Sequence, residues 1–95
     1  MKITKNVNGS NLEIALEGRL DTMTAPELET ELKNSLEGID SLTLDFSKLE
    51  YISSAGLRVL LMAVKKAGQG TVINASDAVK EIFETTGFDQ IIDVR

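Results

Sequence analysis

The sequence predicts an α/β fold: one domain with a mixed β-sheet and elements in the order ββαβαβαβ. Two strand-like runs flank Asn8-Gly9, the turn signal of an antiparallel hairpin. Three helix-period apolar stripes then alternate with three strand-like runs, which implies parallel pairing and right-handed crossovers for the later strands. The 95 residues hold no linker, low-complexity stretch or internal repeat, so a single domain over residues 1–95 is expected.

The first strand is expected over Ile3 to Val7 and the second over Leu12 to Leu16. Leu12, Ile14 and Leu16 alternate with Glu13, Ala15 and Glu17, so one face is buried and the other largely wet. Gly18 to Met23 reads as a loop. Thr24-Ala25-Pro26-Glu27 opens a helix: Thr24 and Glu27 fit a capping box, and Pro26 suits the first turn. Leu28, Leu32 and Leu36 form its inward stripe, and Gly38 ends it.

Ser41 to Phe46 reads as a strand, with Leu42, Leu44 and Phe46 on one face. A second helix runs from Ala55 to Ala67, with Leu57, Leu60, Leu61 and Val64 inward and Lys65 and Lys66 at its negative end. Gly68 and Gly70 break it. Thr71 to Asn74 is a short strand, and Ser76 or Asp77 caps a third helix with Val79, Ile82 and Phe83 inward. Thr86-Gly87-Phe88 fits a Schellman ending, and Ile91 to Val94 forms a last edge strand.

Composition excludes several function classes. Aromatics make up 4% with no Trp, which leaves few stacking platforms for bases or sugars. A net charge of −5 disfavours nucleic acid and anionic membrane surfaces. With no Cys and no His, thiolate and Ser-His-Asp nucleophiles are absent, and so are the commonest metal ligands. No metal or cofactor and no enzymatic activity are expected. Met1 to Lys5 lacks the apolar core of a signal peptide, and the longest apolar run, Val59 to Val64, is too short to cross a membrane. A cytoplasmic monomer is expected. Gly68-Gln69-Gly70 follows a helix and precedes a strand, so it is no phosphate loop. Asp45 lacks the acidic cluster that a magnesium-dependent aspartyl-phosphate site needs.

The most informative segment runs from Asp45 to Leu57: a strand, a short turn, then Ser53 and Ser54 at the mouth of an apolar helix. A serine there suits two roles. Its oxygen can cap the helix, and its hydroxyl can accept a phosphate that the positive end of the helix dipole would stabilise. Residue type alone leaves both roles open for Ser54, and capping open for Ser53.

These residues resemble the signature of the STAS domain, most closely that of the stand-alone bacterial anti-sigma factor antagonists. The signature stands here as Asp45-Phe46-Ser47 through Ile52-Ser53-Ser54-Ala55-Gly56-Leu57. The resemblance extends to Glu17-Gly18-Arg19-Leu20-Asp21, to Thr24-Ala25-Pro26-Glu27-Leu28 and to Thr85-Thr86-Gly87-Phe88, nearly the whole chain. It implies a switch without catalysis of its own. The unphosphorylated protein would bind an anti-sigma factor with serine kinase activity and release a sigma factor. Phosphorylation of the serine two before the motif glycine, Ser54 by match, would block that binding, and a PP2C-type phosphatase would restore it. Asp21 matches the family's loop aspartate beside the acceptor. Two positions depart from the pattern: Ser53 stands where many members carry Asp, and Ala55 where Ser or Thr is common.

Docking is expected on Asp21, Met23, Ser53, Ser54, Ala55, Gly56, Leu57 and Arg58. Arg58 lies one turn after Ser54, and helical side chains lean toward the N-terminus, so its guanidinium can reach a phosphate on Ser54. The alternative reading is a constitutive STAS accessory subunit of an ABC-type lipid transporter ATPase, with Ser54 only a cap or a contact.

Overall fold

In the computed structural model, which describes Met1 to Arg95, the hairpin comes first. Strand β1 (Lys2–Asn8) pairs antiparallel with β2 (Asn11–Leu20) through a two-residue loop, Gly9-Ser10. The positive φ of +65° falls on Gly9 and not on Ser10, the pattern of a type II′ turn, which matches the twist of the strands it joins. Helix α1 (Ala25–Ser35) leads to β3 (Ser41–Ile52), α2 (Ser54–Ala67) to β4 (Gly70–Ile73), and α3 (Asp77–Thr86) to β5 (Asp93–Val94).

The sheet order is β1-β2-β3-β4-β5, with every pair after the hairpin parallel. The order advances in one direction, so right-handed crossovers place all three helices on one face. Burial follows. Leu12, Ile14 and Leu16 of β2 and Leu42, Leu44 and Phe46 of β3 are buried beneath the helices, while Glu13, Ala15, Thr43 and Asp45 on the other face are half-exposed. Every buried side chain that forms the core is apolar.

The expected order of elements is the observed one, but β2 and β3 run much further than their alternation suggests. The register slips once between Ala15 and Glu17 and again between Gly18 and Arg19, and each slip places one extra residue on β3. The two bulges change the spacing of buried residues on β3 from two to three, giving Phe46, Leu49 and Ile52. Asp45 closes the first bulge: its Oδ1 accepts from the Ser47 N–H at 3.0 Å and from Asn74 Nδ2 at 3.3 Å. The Ser47 N–H is the main reason its carboxyl is held below the ordinary carboxylate range, with Asn74 adding to it and burial opposing it.

Three boundaries differ from expectation. Helix α1 ends at Ser35 with Leu36 as its cap, so Gly38 (φ +76°) serves the turn beyond the helix. Strand β4 starts at Gly70, and Asn74 leaves it with a φ of +59°. Residues Phe88 to Gln90 form a 3₁₀ turn, leaving β5 only two residues long. The Schellman-type ending of α3 holds: Gly87 is left-handed at φ +75°, its N–H donates to Glu84 O at 3.2 Å, and Phe88 folds back to stack on Phe83 with centroids 5.6 Å apart.

Candidate functional site at the start of helix α2

The two serines sit differently at the start of α2. Ser53 has extended backbone (φ −95°, ψ 173°) and caps α2: its Oγ accepts the Gly56 N–H at 3.2 Å, and its carbonyl accepts the Leu57 N–H at 2.9 Å. Ser54 is the first residue of α2, exposed, with its hydroxyl outside the cap. Of the two serines open to capping, Ser53 is therefore the one that caps α2. The first turn of α2 carries no acidic residue, so no side chain of the helix itself offsets the positive end of its dipole.

One backbone bond brings the second expected segment to the serines. The Ser53 N–H donates to Leu20 O at 2.8 Å, extending the parallel β2–β3 pairing by one residue and placing Asp21 beside the serine turn. Gly56 makes this approach possible. A Cβ on Gly56 would lie 2.6 Å from Leu20 Cγ and 3.1 Å from Ile52 Cγ1, so only glycine lets α2 rest on the ends of β2 and β3.

The loop after Leu20 is locked by a capping box, displaced three residues from the expected one. Asp21 Oδ1 accepts the Met23 N–H at 3.0 Å and the Thr24 N–H at 3.1 Å. In return Thr24 Oγ1 accepts the Asp21 N–H at 2.9 Å and donates to Arg19 O at 2.8 Å. The Asp21 carbonyl accepts the Ala25 N–H at 2.8 Å. Asp21 and Thr24 thus fill the two box positions assigned to Thr24 and Glu27, and Thr24 makes no side-chain cap of its own. The Thr24 N–H is the largest cause that lowers the Asp21 pKa, against opposing desolvation; the Met23 N–H, the Thr24 hydroxyl and Arg19 also lower it.

The other expected residues fall into two groups. Met23 projects from the loop tip with 86% of its surface exposed, and Arg58 is exposed on α2. Ala55 is half-buried, whereas Gly56 and Leu57 are buried and shape the site from beneath. Arg58 makes no ion pair. It lines a shallow groove of about 270 Å³ between α1 and α2, together with Thr22, Pro26 and Glu29.

Two neighbours escaped the sequence reading. The Arg19 guanidinium lies over the Tyr51 ring, 4.5 Å from its centroid, with its Nε 3.9 Å from Asp21 Oδ2. The second bulge sets Arg19 opposite Tyr51. An arginine and a tyrosine at the ends of two strands carry no signal until that register is known. No three His, Cys, Asp or Glu side chains gather where they could hold a metal ion, and no helix is long and apolar enough to cross a membrane.

A family model described as "Mlab, STAS domain" matches residues 3–93. The chain is 35% identical to BtrV of Bordetella bronchiseptica, named as a proposed anti-sigma factor antagonist, over 99% of this chain and 85% of that protein. It is 30% identical to the anti-sigma-B factor antagonist of Listeria monocytogenes, over 96% of this chain and 84% of that protein. Among solved structures, an anti-sigma factor antagonist from Mycobacterium paratuberculosis superposes with a TM-score of 0.86 at 23% identity, covering 98% of this chain and 83% of that one. SpoIIAA in its unphosphorylated form gives 0.85 at 16% identity, covering 99% and 88%. At these identities the structural matches establish the fold, and the sequence matches establish kinship: the chain belongs to the STAS domain family, in its anti-sigma factor antagonist group.

Proposed function

We propose that this chain antagonises an anti-sigma factor and is switched off by phosphorylation of Ser54. The unphosphorylated protein docks on an anti-sigma factor with serine kinase activity through the serine turn, Met23 and the exposed start of α2, and a sigma factor is released. The partner transfers the γ-phosphoryl group of ATP to Ser54 Oγ, and the hydroxyl proton passes to a base on the kinase. A PP2C-type phosphatase hydrolyses the ester. The chain supplies no catalytic group and acts in the cytoplasm.

The observation that carries this reading is the split between the serines. Ser54 is exposed and free of capping, so a phosphate there would leave the Ser53 cap intact. It would place roughly −1.5 to −2 charges where a docking surface had met a neutral hydroxyl. Ionised Asp21 in the adjoining loop adds to the local negative field. Arg58 is unpaired and one turn away, so it is the side chain suited to hold the phosphate in the switched-off form.

The test is a pull-down from native-host lysate with wild type and Ser54→Asp side by side. A kinase-like anti-sigma factor held by wild type and lost by the variant supports the switch. The second reading is the constitutive accessory subunit. An ABC-type ATPase held by both forms would favour that reading and reduce Ser54 to a contact.

A further inference from the structure

Helix α2 has a charge pattern unlike the rest of the molecule. It carries three cations, Arg58, Lys65 and Lys66, and no acidic residue, in a chain of net charge −5. Helix α1 carries Glu27, Glu29 and Glu31 against Lys33, and α3 carries Asp77, Glu81 and Glu84 against Lys80. None of the three α2 cations has an ion-pair partner within the chain, whereas Lys2, Lys5, Arg19, Lys33, Lys48 and Arg95 do; outside α2 only Lys80 is also unpaired.

These cations are also ordered along the helix. Leu61, expected inward, is only half-buried: Ser54, Arg58, Leu61 and Lys65 follow one another at steps of four, three and four and form one seam along the outer side of α2, with Met62 at its flank. Arg58 and Lys65 are exposed at either end of the pair Leu61 and Met62, which the core covers only in part. At ~1.5 Å rise per residue, the two cations stand about 10 Å apart along the helix axis. A basic pair bracketing an apolar centre calls for the opposite arrangement on its occupant.

We infer that the outer seam of α2 docks a protein segment with two carboxylates about 10 Å apart and an apolar residue between them. This deepens the proposed function, on which it rests, by naming the chemistry of the partner's face. It also gives the phosphate a second effect. A phosphate on Ser54 would engage Arg58 from within the chain, and the partner's first carboxylate would lose its cation and meet a like charge.

The test uses the anti-sigma factor retained by wild type, purified. Its Kd is measured by calorimetry at low and high salt for wild type, Arg58→Glu, Lys65→Glu and Lys2→Glu. All three changes alter net charge equally, and Lys2 lies away from α2 on β1. The expected result is about tenfold weaker binding and a flatter salt dependence for the two α2 variants, with Lys2→Glu close to wild type. Equal losses in all three, or none in the α2 pair, overturn the inference. Sedimentation of wild type but not Arg58→Glu with phosphatidylserine vesicles would overturn it as well, assigning the seam to a lipid surface. If Ser54→Asp binds like wild type while the α2 variants fail, the phosphoswitch is wrong and the seam stands. The reverse pattern removes the seam and keeps the switch.

Discussion

Gly56 and Leu20 meet with no space for another carbon: a Cβ on Gly56 would lie 2.6 Å from Leu20 Cγ. Leu20 is fully buried and Ile52 blocks the other side, so neither can yield cheaply. The Gly56→Ala change should destabilise the fold by roughly 1–3 kcal/mol through overpacking. It should also shift the serine turn away from Asp21. Urea unfolding measures the first effect, and amide chemical shifts of residues 20 to 24 report the second. Wild-type stability with unmoved shifts would refute the close packing.

The division between the serines predicts unequal costs. Ser53→Ala removes the acceptor for the Gly56 N–H and should cost about 1 kcal/mol. Ser54→Ala removes an exposed hydroxyl outside the cap and should stay within about 0.5 kcal/mol of wild type. Thermal unfolding of the two variants decides it. Equal losses would mean that Ser54 shares the cap.

The Phe46–Phe83–Phe88 stack fastens α3 to the sheet, with centroid separations of 6.2 Å and 5.6 Å. Phe83 is wholly buried at its middle. Phe83→Ala should therefore cost roughly 3–5 kcal/mol. A smaller loss in the denaturation midpoint, with an unchanged slope, would show that α3 docks by other contacts.

Acid should weaken the fold through Asp21 and Asp45, both held below the ordinary carboxylate value by backbone N–H donors. For a lowered pKa, the stabilisation is complete above the unfolded-state value of about 4 and is lost as pH falls through the lower folded-state value. Asp45→Asn should thus flatten the fall in stability below about pH 4. Urea midpoints across that range give the answer, and a slope identical to wild type would remove Asp45 from the acid transition.

Arg58 carries a prediction for the phosphorylated form. Arg58→Ala should raise the second pKa of phosphoserine at Ser54, because a nearby guanidinium favours the dianion. Phosphorus NMR titration reads that pKa directly. An unchanged value, with an unchanged dephosphorylation rate, would leave Arg58 without a hold on the phosphate.

The sequence carried the order of the elements because hydrophobic period and turn chemistry are local. Leu12-Ile14-Leu16, Leu28-Leu32-Leu36 and the Gly87 ending speak for themselves. The second half of β3 did not, because its bulges replace strict alternation with Leu49 and Ile52 at spacings of three. The Asp21–Thr24 box was present as Asp-x-x-Thr, but Pro26 and Glu27 drew the expected box three residues later, while the helix start at Ala25 was legible. Which serine caps α2 depends on the Ser53 backbone, fixed by its bond to Leu20, a residue distant in sequence. The pairing of Arg19 with Tyr51 waits on the same register.

The unbroken strand order has a consequence for how the chain assembles. Each strand hydrogen-bonds only to strands next to it in sequence, so no crossover must close over a strand still to come. The sheet can therefore grow from one side as the chain leaves the ribosome. The neighbours of the serine turn, β2, β3 and α2, all lie before Gly68, ahead of β4, α3 and β5 in the chain. The elements of the proposed docking surface thus come before the far edge of the sheet in the chain.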